Sequence, residues 1–494
     1  MTNPNLPEMT TLPPGWIGRF DDNDRVYFVG PGGKSTYDHP KYGVIPNPWQ
    51  LKVDRSVPKP FEYYYNTQTK TKTKENPRFN EDVLGSSLLK VSRVVRESAT
   101  VTKNYQDEIK NKRRTHIKNI DVRQHYEIVH TIDKGEGGIG GMNGGVHVVR
   151  HKGIMTGLYV EKRFKKDALQ HRQDGKPGFG TVEILITHRV IHGGLAAFIE
   201  GFIAPDMIHP TSASLYLEFC DLGSLNDLIN CFAQRVHTNE AAYVPERFVW
   251  HSFCGLCDAL AYLWGGKSFL NDKMAGRAVP EKGWKPILHR DMKPDNILIR
   301  SRNNLSSQKY PYLVISDFGL ATDDPKEIAQ RGGGMAGSRY YFAPELLWPS
   351  FPRDPRLLDF FPPGQSHTFE SDLYSLGVCI HSLCKPTNKK VDDTHWMGAW
   401  SHFNLQTYRK ADTNWPSLTI SRNEVLDIGS FYSPYLRRVI QKATHWRLSQ
   451  RGAAHQLAPQ LVDIATSAGY GEEEFGENER LPVWAIKVHD YNTR

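Results

Sequence analysis

The chain has 494 residues, of which 39% are hydrophobic and 23% charged, with a mean hydropathy of −0.53; this is a globular composition, which excludes a wholly disordered or collagen-like chain. No run of about 18 apolar residues occurs, so a transmembrane helix is excluded, and the opening MTNPNLPEMTTLPPGW has neither the basic start nor the apolar core of a secretory signal. Six cysteines are too few for a disulfide scaffold and are expected as free thiols in the cytoplasm; a net charge of +8 on 56.3 kDa is mild, so neither a membrane nor a nucleic-acid partner is expected.

Residues 1–80 are rich in Pro, Tyr, Thr and Lys and contain a loose internal repeat, PPGWIGRFDDNDRVYFVGPGGKSTYDHP followed by PWQLKVDRSVPKPFEYYYNTQTKTKTKENPR. Each unit has a Trp after Pro or Pro-Gly, an aromatic cluster, a turn and a closing Pro. Two hairpins sharing a central strand predict a three-stranded antiparallel sheet in each. Through Trp16, Tyr27, Phe28, Tyr37 and Pro40 the first unit (11–42) resembles a WW domain; through Trp49, Tyr63, Tyr64 and Pro77 so does the second, degenerate unit (47–80). The resemblance implies a Pro-rich peptide gripped between two aromatic walls. In the first unit the walls fall on Phe28 and Tyr37; in the second, Lys74 replaces one wall. Residues 81–124 read as a charged linker. Its cluster Lys110, Lys112, Arg113 and Arg114 is a solvated stretch or, on a second reading, a nuclear address.

From residue 125 strands come first and helices later. The stretch KGEGGIGGMNGGVHVVR places Gly135, Gly137 and Gly140 in G-x-G-x-x-G spacing, with Val146 after an insertion. LYVEKRF (158–164) reads as a strand, TVEILITHRVIH (181–192) as a helix, and ERFVWHSFCGLCDALAYLW (246–264) as a helix with one apolar stripe and a core pair, Cys254 and Cys257. HRDMKPDN follows at 289–296, then YLVISDFG at 312–319, YYFAPE at 340–345 and the helix SDLYSLGVCIHSL at 371–383.

In this order the motifs resemble the eukaryotic protein kinase superfamily of Ser/Thr type. The implied architecture is α+β: a bilobal kinase fold over 125–465, preceded by the two small WW-like sheets and followed by an extension over 466–494. The implied cofactors are ATP and Mg2+, and the implied partners are protein substrates. Phosphoryl transfer needs positioning and charge neutralisation more than covalent chemistry. The resemblance gives Asp291 the substrate hydroxyl and Lys293 the charge on the transferred group. Asn296 and Asp317 are hard oxygen ligands for the metal. Lys162 is the nucleotide-binding lysine with Glu183 as its helical partner, and Glu218 and Cys220 lie where backbone meets the base. Asp372 is expected to hold the catalytic loop, and Glu345 to pair with Arg451. Lys293 and Ser338 point to Ser/Thr substrates. The segment after Asp317 has few hydroxyls but carries Asp323, Asp324 and Glu327, so a carboxylate or another contact is expected at Arg290. A catalytically silent scaffold that binds nucleotide or partners is the alternative; the intact set of polar residues favours the enzyme.

Overall fold

The computed structural model describes residues 6–40, 45–74, 77, 116–136, 143–237, 243–269, 280–301, 310–324, 337–346, 367–386, 426–445, 448–467 and 480–491, apart from 11, 13, 46, 155–156, 430, 487 and 490. Gly137, Gly140 and the Lys110–Arg114 cluster lie outside them. The chain divides into two compact units, 1–91 and 92–494.

The first unit holds two antiparallel three-stranded sheets. One is β1 (Ile17–Phe20), β2 (Val26–Val29) and β3 (Ser35–Thr36); the other is β4 (Trp49–Asp54), β5 (Phe61–Asn66) and β6 (Lys72–Thr73). They share one core: Val26 and Phe28 pack with Trp49, Leu51, Val53 and Tyr64, while Trp16 lies partly buried against them. The Val53 amide donates to Asp24 O at 3.0 Å, which ties the sheets edge to edge. A short helix α1 (Pro7–Thr10) closes the core, its Glu8 and Met9 amides donating to Glu62 at 2.8 and 2.7 Å.

This arrangement corrects the expected peptide groove. Side chains alternate faces along a strand. Phe28 is fully buried and edge-on to His39, so it is core and lines no groove; Tyr27 shares the outer face with Tyr37, ring centroids 6.1 Å apart. Tyr37 is exposed, but the Arg25 guanidinium lies 3.8 Å from its ring centroid and covers one face. In the second unit Tyr64 is likewise buried, hydrogen-bonding to Glu8, and Lys74 sits over Phe61 at 4.6 Å.

The second unit has an upper lobe built on a five-stranded sheet of order β10-β11-β9-β8-β7: β7 (Tyr126–Asp133), β8 (Asn143–His151), β9 (Leu158–Phe164), β10 (Phe198–Ala204) and β11 (Ser212–Glu218). Helices α2 (Lys166–Leu169) and α3 (Phe179–Arg189) flank it. The helix expected over 181–192 stops at Arg189. Val190 is extended (φ −80°, ψ 137°), and His192 turns inward: its Nδ1 accepts from the Gly194 amide at 3.0 Å and its Nε2 meets Asp258 at 3.1 Å. The last residues of the expected linker belong to this lobe. Val122 is fully buried, Lys118 exchanges backbone hydrogen bonds with β10, and Arg123 reaches Glu161, Ser212 and Ser214.

The lower lobe is helical: α4 (Leu225–His237), α5 (Glu246–Gly265), α6 (Phe369–Cys384), α7 (Pro434–Ala443), α8 (Leu448–Arg451) and α9 (Ala454–Ser467), with the hairpin β12 (Ile297–Arg300) and β13 (Tyr312–Ile315). Nearly every side chain of α5 is buried, the polar Arg247, His251, Ser252 and Asp258 among them, so burial extends well beyond the one expected apolar stripe. It ends at Gly266, φ 77°, where a Cβ would come within 2.6 Å of the Trp284 ring. Cys254 and Cys257 are core thiols, pushed up by burial, Cys254 to about 12, and none of the six cysteines forms a disulfide. No described helix is long and apolar enough to cross a membrane. Part of the expected C-terminal extension packs on the lobes: Trp484 meets Phe232, the His489 amide donates to Asp221 O at 2.7 Å, and Tyr491 stacks on His130, centroids 4.5 Å apart.

Candidate active site

The site forms where the sheet meets the helical lobe. β9 pairs with β8 so that Lys162 stands opposite Val146. Gly135 turns the chain after β7 at φ 72°, its amide donating to Asp133 Oδ1 at 2.8 Å; a Cβ there would lie 2.6 Å from the Gly144 carbonyl carbon. That close approach requires glycine.

From β9 the Lys162 ammonium donates to Glu183 Oε1 at 2.7 Å and to Asp317 Oδ1 at 2.8 Å. Glu183 comes from the middle of α3 and is buried; Asp317 follows β13 and is half-exposed, in the left-handed region at φ 62°. Burial disfavours the ammonium, but the two carboxylates outweigh it and raise the lysine well above its usual range. Burial raises the Glu183 carboxyl to about 7 against the pull of Lys162. For Asp317 the desolvation is outweighed by Lys162 and the Gly319 amide, and the carboxyl falls to about 2. One ammonium thus joins three elements that are remote in sequence.

The HRDMKPDN loop supplies the second group. Asp372, buried on α6, accepts from the His289 amide at 2.8 Å and the Arg290 amide at 3.0 Å. Burial raises the Asp372 carboxyl, opposed by His289 and these amides. His289 Nδ1 accepts from the Asp291 amide at 3.3 Å and its Nε2 lies 3.0 Å from Ser316 O, so the ring ties this loop to the segment that carries Asp317. Asn296 Nδ2 donates to Asp291 O at 2.8 Å and to Asp291 Oδ2 at 3.1 Å, while Lys293 Nζ lies 3.2 Å from the same Oδ2. The other Asp291 oxygen accepts from the Ser338 amide at 2.8 Å. That contact was not foreseen; Gly337, φ 109°, permits it, since a Cβ there would strike Arg290 O.

Glu218 ends β11, its amide donating to Ala197 O at 3.1 Å and its carboxylate pairing with Arg300 at 2.7 Å; Cys220 follows in the crossing between lobes. Glu345 and Arg451 lie deeper, joined by two bonds of 2.8 and 3.0 Å, with Arg451 fully buried. Arg290 Nε donates to Leu320 O at 2.5 Å, whereas Asp323 pairs with Arg189 on α3 and not with Arg290.

The donor set fits a hard divalent cation. Asp317 is ionised and half-exposed, and Asn296, with its N–H groups turned to Asp291, retains an amide oxygen for a ligand. Lys162 beside them suits a phosphate anion.

Comparison with known proteins agrees with this geometry. The family model described as "Protein kinase domain" matches residues 126–461. The chain is 29% identical over 187 residues to the G2-specific protein kinase nim-1 of Neurospora crassa, covering 36% of this chain and 18% of that one. It is 25% identical over 254 residues to the mitogen-activated protein kinase kinase 1c of Physcomitrium patens (51% and 55%). It is 26% identical over 258 residues to the human serine/threonine-protein kinase 32B (48% and 52%). The matched part spans about half of these relatives' length or less. With a family match over most of its length and the lysine, carboxylates and loop set together as described, the chain belongs to the protein kinase domain family.

Proposed function

We propose that the protein is an ATP-dependent Ser/Thr protein kinase that moves the γ-phosphoryl group to a protein hydroxyl. The observation that carries this reading is Lys162 held between Glu183 and Asp317. Lys162, fixed by Glu183, orients the phosphates of the nucleotide. Asp317 and Asn296 would hold Mg2+, which supplies charge neutralisation to the phosphates when bound. Asp291 aligns the substrate hydroxyl and accepts its proton; Lys293, next to it, offsets charge on the phosphoryl oxygens. The Ser/Thr preference rests on Lys293, on Ser338 beside Asp291, and on the relatives, among them the human one named a serine/threonine-protein kinase.

The test is transfer of label from γ-labelled ATP to a generic basic protein or to the chain itself. Asp291→Asn removes the base and should lower kcat by about 10²–10⁴-fold. Asp317→Asn should remove most transfer even at saturating Mg2+, with an unchanged circular dichroism spectrum. Nucleotide binding without transfer in the wild type would return the scaffold reading.

A further inference from the structure

We propose that Asp323 and Asp324 are positioning residues that hold α3, and with it Glu183, against Lys162 by pairing with Arg189 and Lys176. The proposal rests on the kinase reading above.

The two acids follow Asp317 closely on a segment fixed to the lower lobe. Thr322 exchanges backbone hydrogen bonds of 2.9 and 3.0 Å with Leu288, the residue before His289, and Leu320 O accepts from Arg290. This segment therefore moves with the catalytic loop. α3 belongs to the upper lobe. An open cleft of about 780 Å³ lies between its Val182, Leu185 and Ile186 and residues 321–324 of that segment. Asp323 and Asp324 reach across it to the end of the helix and to the loop before it.

Each end meets one acid. Arg189, the last residue of α3, places Nη1 2.6 Å from Asp323 Oδ2, and its Nη2 donates to Lys285 O at 3.1 Å. Lys176, in the loop leading into α3, lies 2.7 Å from Asp324 Oδ2 and 3.6 Å from Asp174. The four paired side chains are 27–32% exposed, shielded enough to resist screening without the cost of full burial. Glu183 lies between these anchors, six residues before Arg189. Charge on this segment thus couples the catalytic loop to the Lys162–Glu183 pair. A phosphate added to such a segment would act through the same cations. Here the carboxylates are encoded, so the helix is held without modification.

The experiment uses the full chain and three forms: Asp323→Asn with Asp324→Asn, the charge exchange Asp323→Arg with Arg189→Asp, and Arg189→Asp alone. Phosphotransfer and hydrogen exchange of the α3 amides are both read. The double Asn variant should lose up to about tenfold in kcat/KM, the scale of two partly exposed ion pairs, and should show faster exchange in α3 with other helices unchanged. Arg189→Asp alone should be worse, and the exchanged pair should recover protection and activity, which a merely structural role would not. Phosphatase-treated wild type should keep its activity. Unchanged α3 exchange in the double Asn variant overturns the proposal. So does failure of the exchanged pair to recover α3 protection, or loss of activity on phosphatase treatment that maps to a hydroxyl of this segment. Because hydrogen exchange needs no turnover, a wild type without transfer would sink the kinase reading while the clamp was still decided by α3.

Discussion

At the scale of single residues, Glu183 and Asp317 show how one ammonium serves two different carboxyls. Glu183 is buried and raised to about 7; Asp317 is half-exposed and lowered to about 2. Above about pH 7 Glu183 is ionised and pairs with Lys162; as pH falls through that value it gains a proton and the pair loses its anion. Loss of kcat/KM for nucleotide is therefore expected below about pH 7, while Asp317 stays ionised. Glu183→Gln cannot titrate, so its weaker activity should lack this acid limb. A limb that survives in Glu183→Gln would belong to the nucleotide's own phosphate. The carboxyl identities were legible in the motifs, but their unequal states were not, because burial is a property of the assembled lobes.

At the scale of elements, β2 shows what a one-residue shift of face does. Val26 and Phe28 point into the core shared by the two small sheets, and Tyr27 points out. The motif named aromatic residues, yet a run such as VYFV does not say which alternate set is inward. That was decided by the second sheet, whose Trp49, Leu51 and Val53 cover one face only. Phe28→Ala should accordingly leave a core cavity and destabilise this unit by about 3–5 kcal/mol, read by denaturant unfolding of residues 1–91 within the full chain. Unchanged stability would place Phe28 at a surface groove after all.

At the scale of the whole kinase unit, the Glu345–Arg451 pair links the APE segment to the end of α8. Arg451 also donates to His445 O at 2.8 Å and to Glu370 O at 3.1 Å, so all three nitrogens of its buried guanidinium are engaged. Arg451→Ala would strand the Glu345 carboxylate in the interior, and a loss of about 3–5 kcal/mol is expected in thermal or urea unfolding. Replacing both partners with apolar residues of similar volume should cost less, since no buried charge would be left unpaired.

The sequence by itself determined the elements whose signals are local: the strand LYVEKRF, the helix from Glu246, and the spacing within HRDMKPDN and DFG. These depend on periodicity and on residues a few positions apart. Only the tertiary structure decided what distant charges do. Asp323 could pair with Arg290 or with Arg189 on charge alone. The fold turns Arg290 to Leu320 O and brings the end of α3 to 2.6 Å from Asp323, so the cation that the loop reaches is set by lobe packing. The same holds for the segment 116–124, polar enough to read as linker, yet bound to the sheet because β10 is its edge strand and pairs with Lys118, Val122 is buried, and Ser214 on β11 and Glu161 on β9 accept from Arg123. Coulomb attraction and hydrogen bonding are indifferent to sequence separation, and only the folded chain fixes which groups come within their reach.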